Sequence, residues 1–168
     1  MGRTDPRRTL KVMGEPRWLD HDEEEAWLAL VRLMFKLPAA LDAQLLRDAG
    51  LNLFEYLVLS MLSMEANRTL GLSELATLVS GSPSRLSNVI KRLEKRGLVN
   101  REPDPANARY AHAVLTDAGY ELVVGAAPGH VAAVRRFVID GLNGDQVRAL
   151  REVGYQVADN VDAPDRKA

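Results

Sequence analysis

The chain contains no cysteine. Disulfides, thiolate metal sites, cysteine nucleophiles and thiol redox switches are therefore excluded together. Aromatic residues are scarce, at 5% of 168 residues. Leu, Val and Ala carry most of the apolar content, a balance that favours helices packed on helices over a sandwich or barrel. Apolar runs stay short of the ~18 residues that a bilayer span needs, and Met1 to Lys11 has charges with no apolar stretch behind them, so the expected location is the cytoplasm. The glycosylation-like triplet Asn67-Arg68-Thr69 then reads as an accident of a polar loop. The histidines, His21, His112 and His130, show no paired spacing on one helix, which argues against a metal site. A Gly-rich phosphate loop, a zinc-protease helix motif and a nucleophile elbow are also missing, so neither catalytic residues nor a cofactor are expected. An enzyme would need a polar pocket with several perturbed titratable groups, built from scattered residues.

What the sequence does have is a helix pair between Leu72 and Val99, separated by Val79-Ser80-Gly81-Ser82-Pro83. This spacing predicts a helix-turn-helix. Ser82 is placed as an N-cap and Pro83 at the first helical position, where its missing N–H costs nothing. Leu86, Val89, Ile90 and Leu93 fall at i, i+3, i+4 and i+7 and form one apolar stripe. The other face carries Ser84, Arg85, Ser87, Asn88, Lys91, Arg92 and Lys95, which mixes cations for phosphates with short side chains able to read base edges. Gly97 follows where a left-handed cap is wanted.

Net charge is −1, which speaks against a uniformly basic nucleic-acid binder. Its distribution speaks the other way: Pro83 to Arg109 holds a local +4, leaving −5 for the rest. A basic face on an acidic body is the footprint of a protein that presents one surface to DNA, although a charge run also fits a plain solvated helix face.

Residues 1–20 mix basic residues with Pro and Gly and read as a flexible tail, its end pinned by Trp18. A helix is expected from Asp22 to about Asp48. It begins with the acids Asp22 to Glu25 at its positive pole and is kinked or broken by Pro38. Its residues Trp27 to Leu37 are apolar on more than one face, which implies a partner subunit. Asn52 and Glu55 form a capping box for a helix to about Ser63. Leu70 to Leu72 is a short extended piece, and Ser73 is expected to cap Glu74 to Val79. The segments Leu98 to Glu102 and Arg109 to Leu115 read as a hairpin around a loop from Pro103 to Ala108. Its tip holds Asn107 and Arg109, placed to reach the neighbouring groove. Thr116 caps a helix to roughly Val138, interrupted by Gly125, Pro128 and Gly129, the proline bending it. Asn143 and Gln146 box the last helix, with Val147, Leu150, Val153, Val157 and Val161 as its apolar stripe. The fold class is therefore mainly α with a small β-hairpin wing: a winged helix-turn-helix lobe over 51–115, a helical dimerisation region over 21–50 and 116–162, and a frayed end over 163–168.

Four stretches carry a resemblance: Leu72-Ser73-Glu74-Leu75-Ala76, Ser84-Arg85-Leu86-Ser87, Arg92-Leu93-Glu94-Lys95-Arg96-Gly97-Leu98-Val99 and Leu115-Thr116-Asp117-Ala118-Gly119. In this order and spacing the chain resembles the MarR family of bacterial transcription regulators over about residues 25 to 160. The resemblance implies a homodimer in which the first and last helices interlock. It also implies that each subunit presents one winged helix-turn-helix to half of a near-palindromic operator, usually as a repressor. The family's wing has an Asp two residues before its Arg; here Asn107 precedes Arg109, and a neutral amide offers no ion pair. Members are commonly released from DNA by a small, often aromatic and acidic, molecule held between the dimer helices and the DNA-binding lobe. The urate-responsive branch places an Arg in the recognition helix and a Trp-Asp pair early in the second helix. Val89 and Phe54-Glu55 occupy those places here, which argues against urate.

The expected DNA-binding residues are thus Ser82, Pro83, Ser84, Arg85, Ser87 and Asn88 toward bases and nearby phosphates, with Lys91, Arg92, Arg101, Asn107 and Arg109 toward the backbone. The expected effector crevice is lined by Trp27, Met34, Lys36, Tyr56 and Tyr120, residues that equally fit a core with Lys36 as a surface charge. The partners expected are double-stranded DNA, a second copy of the chain and a small-molecule effector. The competing reading is a winged-helix protein-interaction module without DNA binding, which would show a neutralised or occluded recognition face.

Overall fold

The computed structural model describes residues 17–103 and 111–163. The elements are α1 (His21–Ala49), α2 (Leu53–Met64), β1 (Thr69–Gly71), α3 (Leu72–Leu78), α4 (Pro83–Lys95), β2 (Val99–Pro103), β3 (Ala111–Leu115), α5 (Asp117–Val134), a π-helical turn (Arg135–Ile139) and α6 (Gly144–Asp162). The chain divides into two units between Lys36 and Leu37.

In the first unit, α1 starts at His21 from a capping box, one residue earlier than the acids alone suggest. Asp20 Oδ1 accepts from the Glu23 N–H, and Glu23 Oε2 accepts from the Asp20 N–H, at 2.9 and 3.0 Å. Trp18 is 82% exposed and so does not act as the expected anchor; beside it Arg17 pairs with Glu23 at 2.8 Å. Helix α1 continues through Pro38.

The second unit holds the core. Leu45, Leu51, Val58, Leu59, Leu62, Leu75, Leu86, Ile90, Leu93 and Val99 are buried almost completely. Each contributes about 1.5–3 kcal/mol relative to an exposed side chain. The apolar stripe of α4 is thus its inward face, and the helix-turn-helix is folded onto α2. The Asn52–Glu55 capping box is present in full. Helix α3, in contrast, begins at Leu72 directly from the extended Gly71, with no side-chain cap. Ser73 is therefore inside the helix and not its cap. The chain turns from strand into helix within one residue, leaving no non-helical position for Ser73 to occupy.

The three strands form one antiparallel sheet in the order β1-β3-β2. Central β3 pairs Val114 with both Thr69 and Asn100, so the short extended piece is the third strand beside the hairpin. The loop tip, with Asn107 and Arg109, lies outside the described residues, as do residues 1–16 of the tail and 164–168 of the C-terminal end. Thr116 caps α5 by accepting from the Gly119 N–H at 3.0 Å, while its hydroxyl donates to the Gly97 carbonyl at 2.8 Å. Helix α5 runs unbroken past Gly125, Pro128 and Gly129 to Val134 and then widens into the π turn. The expected interruption does not occur, because a helix tolerates a missing N–H where packing holds both sides: Val123, Ala126 and Ala133 are all buried. Asp117–Ile139 is long and apolar enough to span a bilayer by length and composition, with a mean hydropathy of 1.4. The expectation that no stretch reaches this length fails because it counted uninterrupted apolar runs, whereas an 18-residue window of this helix is apolar on average despite its polar residues. The Asn143–Gln146 capping box is present, and α6 has no buried residue.

Candidate nucleic-acid interface

The turn before α4 sets the direction of its first residues. Ser80 takes the left-handed conformation at φ +49°, so Gly81 is glycine for space rather than for φ. A Cβ at Gly81 would come within 2.6 Å of Phe54 Cζ. Ser82 then caps α4, its Oγ accepting from the Arg85 N–H at 3.2 Å and lying 3.2 Å from Ser84 Oγ. Pro83 is the first helical residue, and Gly97 ends the segment at φ +70°. The N-terminal turn of α4 thus brings together hydroxyls, backbone N–H groups at the positive helix pole and the Arg85 side chain.

The outward face of α4 matches the sequence expectation. Ser84, Arg85, Asn88, Lys91, Arg92 and Lys95 are exposed, and Ser87 is half-buried. Lys91 and Lys95 form no ion pair among the described residues, so their charge is available to solvent or a polyanion. Arg101 is exposed on β2, opposite Ala113 in the sheet register. Asn107 and Arg109 lie outside the described residues.

Three arginines are held by α2, an arrangement that sequence inspection misses. The Arg85 guanidinium sits 4.0 Å from the Phe54 ring centroid. Arg92 donates its Nε–H to Glu55 Oε1 at 3.1 Å, and Arg96 Nη1 lies 3.8 Å from Glu55 Oε2 while donating to the Gly50 carbonyl at 3.1 Å. Glu55, already identified as a capping residue, is buried and receives these cations together with the Asn52 N–H. The arginine contacts to Phe54 and Glu55 span 31 or more residues of sequence, and no local pattern announces them.

Between α1, the start of α2 and α4 lies a cavity of about 560 Å³, lined by Pro38, Asp42, Leu53, Phe54 and Leu57 and, from α4, by Arg85, Asn88, Val89 and Arg92. None of the five expected crevice residues lines it. Tyr56 is buried with its ring 4.4 Å from that of His130, and burial pushes its hydroxyl pKa up and that of His130 down. Tyr120 lies under the Arg68 guanidinium at 3.8 Å, which also pairs with Asp117. Trp27, Met34 and Lys36 are exposed on the first part of α1. Among the described residues no three His, Asp or Glu side chains could hold a metal ion.

Comparison with known proteins gives these features a context. The MarR family model matches residues 51–110, the stretch from α2 to the residue before β3. Sco3205 of Streptomyces coelicolor, a MarR family transcriptional regulator whose structure is a complex with DNA, shares 40% identity with a TM-score of 0.86, covering 90% of this chain and 94% of that one. AbsC of the same organism, also a MarR family regulator, shares 35% with a TM-score of 0.82, covering 88% and 99%. The HTH-type transcriptional regulator YkoM of Bacillus subtilis is 30% identical over 131 residues, covering 76% of this chain and 82% of that one. With its winged helix-turn-helix, its capped recognition helix and relatives of this similarity over most of its length, the chain belongs to the MarR family of transcriptional regulators.

Proposed function

We propose that this protein is a cytoplasmic, sequence-specific DNA-binding repressor, a homodimer on a near-palindromic operator, and not an enzyme. The observation that carries this reading is the α4 face: exposed, basic, led by a capped N-terminus, and standing on a fold 40% identical to a regulator solved with DNA. In this reading Ser82 to Asn88 meet base edges and nearby phosphates, while Lys91, Arg92 and Arg101 meet the backbone. Asn107 and Arg109 extend the contact through the wing. An exposed face on which Lys91 and Lys95 have no ion pair among the described residues favours DNA over a protein partner. Dimerisation is supported by large apolar side chains left at the surface: Phe35 on α1 is 76% exposed, and Val153 and Val161 on α6 are 58% and 78% exposed. Monomeric proteins rarely leave so much apolar surface uncovered. The segments 21–50 and 116–162 then form the dimerisation region and 51–115 the DNA-binding lobe.

The cavity beside α4 suits an aromatic or acidic effector. Its lining combines the apolar Leu53, Phe54 and Leu57 with the cationic Arg85 and Arg92. A carboxylate taken up there competes with DNA for those two guanidiniums. Titrating the protein against the intergenic DNA upstream of its own gene, at several salt concentrations, tests the function. Tighter binding than to random DNA at every salt is expected; equal affinity removes the sequence-specific reading, and no binding removes the DNA reading.

A further inference from the structure

We propose that Phe54 is a positioning residue for DNA recognition, its ring holding the Arg85 guanidinium flat so that the arginine reaches a base with its donor edge already aimed. This rests on the DNA-reading role of α4 proposed above. A guanidinium stacked on a ring loses access to one face only. Its five N–H donors lie in the plane and point outward from the edge, where a bidentate contact to a base is made.

The platform is itself fixed from three sides. Phe54 is 7% exposed, and its Cζ abuts Gly81, where even a methyl group would stand 2.6 Å away. The backbone beneath it is held by the capping box and by Asp42 Oδ1, which accepts from the Leu53 N–H at 2.6 Å. Gly81 also belongs to the turn that aims α4. The turn, the ring and the arginine therefore form one mechanical unit. A free arginine would have to lose its rotamer freedom on binding; one already stacked has lost much of it in the free protein.

The experiment uses the full chain and two duplexes, one enriched by the wild-type protein from a random-sequence pool and one random sequence of equal length. Phe54→Leu is expected to lower the ratio of the two affinities about tenfold. The salt dependence of both should stay unchanged, because no charge is altered. Adding Arg85→Ala to Phe54→Leu should cost nothing beyond Arg85→Ala alone. A wild-type ratio in Phe54→Leu, or losses that multiply in the double variant, overturns the proposal. Failure to enrich any duplex, or a wild-type ratio in Arg85→Ala, instead sinks the DNA-reading role on which it stands. Two further observations decide the matter should Phe54→Leu not fold. Gly81→Ala, which must displace the ring, is expected to reproduce the loss, and a wild-type ratio there counts against the idea. In the wild-type protein without DNA, the Arg85 Hδ protons should be shifted upfield by the ring current; shifts at open-chain values contradict the stack.

Discussion

Glu55 is a buried carboxylate of the helix-turn-helix lobe, and burying such a group is costly unless donors replace the solvent. Here the Asn52 N–H, Arg92 and Arg96 do so. Substituting Glu55 by Gln keeps the shape and removes the charge, which should destabilise the protein by about 1–3 kcal/mol in urea denaturation. His130 offers a second residue-scale test. Burial depresses its pKa, and its Nδ1 has no hydrogen-bond partner. The folded state therefore binds fewer protons than the unfolded state below the unfolded value of about 6.5. Stability from this site is complete above that pH and declines as the pH falls through the lower folded value. His130→Gln is expected to flatten the fall in Tm between about pH 7 and pH 5; an unchanged slope places the titration elsewhere.

At the scale of elements, what a sequence can announce is what is local. The caps at Asn52, Ser82, Thr116 and Asn143 were legible because each depends on the residue three positions on. The buried stripe of α4 was legible because its period is that of the helix. Ser73 misled because its type suits a cap, while the strand-to-helix turn at Gly71 leaves it no such position. The unbroken α5 was hidden for a related reason: Gly125, Pro128 and Gly129 are poor helix formers one by one, and the burial of Val123, Ala126 and Ala133 around them is not visible locally. The long-range pairs, Phe54 with Arg85 and Glu55 with Arg92, have no local sign at all. Two predictions belong here. Asn52→Ala should cost about 1 kcal/mol through the lost cap, read from the unfolding midpoint. Gly119→Ala should cost considerably more. Its Cβ would lie 2.2 Å from the Leu98 carbonyl oxygen, so the junction of wing and α5 must open. A midpoint within error of wild type would show that the junction yields freely.

For the whole molecule, the apolar surface and the charge pattern divide the labour between association and recognition. Residues on α6 that are exposed in the single chain, Leu150, Val153, Val157 and Val161, repeat on one helical face. In the proposed dimer that face is covered, so Val157→Asp should shift the protein toward monomer in sedimentation at micromolar concentration and weaken DNA binding with it. A dimer of unchanged strength would place the interface elsewhere. The central claim is that α4 reads bases from two subunits at once. Its most direct test is a base-resolved interference footprint of the protein on the duplex it enriches from a random pool. The account predicts two symmetric major-groove clusters about one helical turn, ~34 Å, or a multiple of it apart, with the discriminating bases in both lost together in Arg85→Ala. Interference confined to phosphates, or base contacts that Arg85→Ala leaves intact, would contradict it.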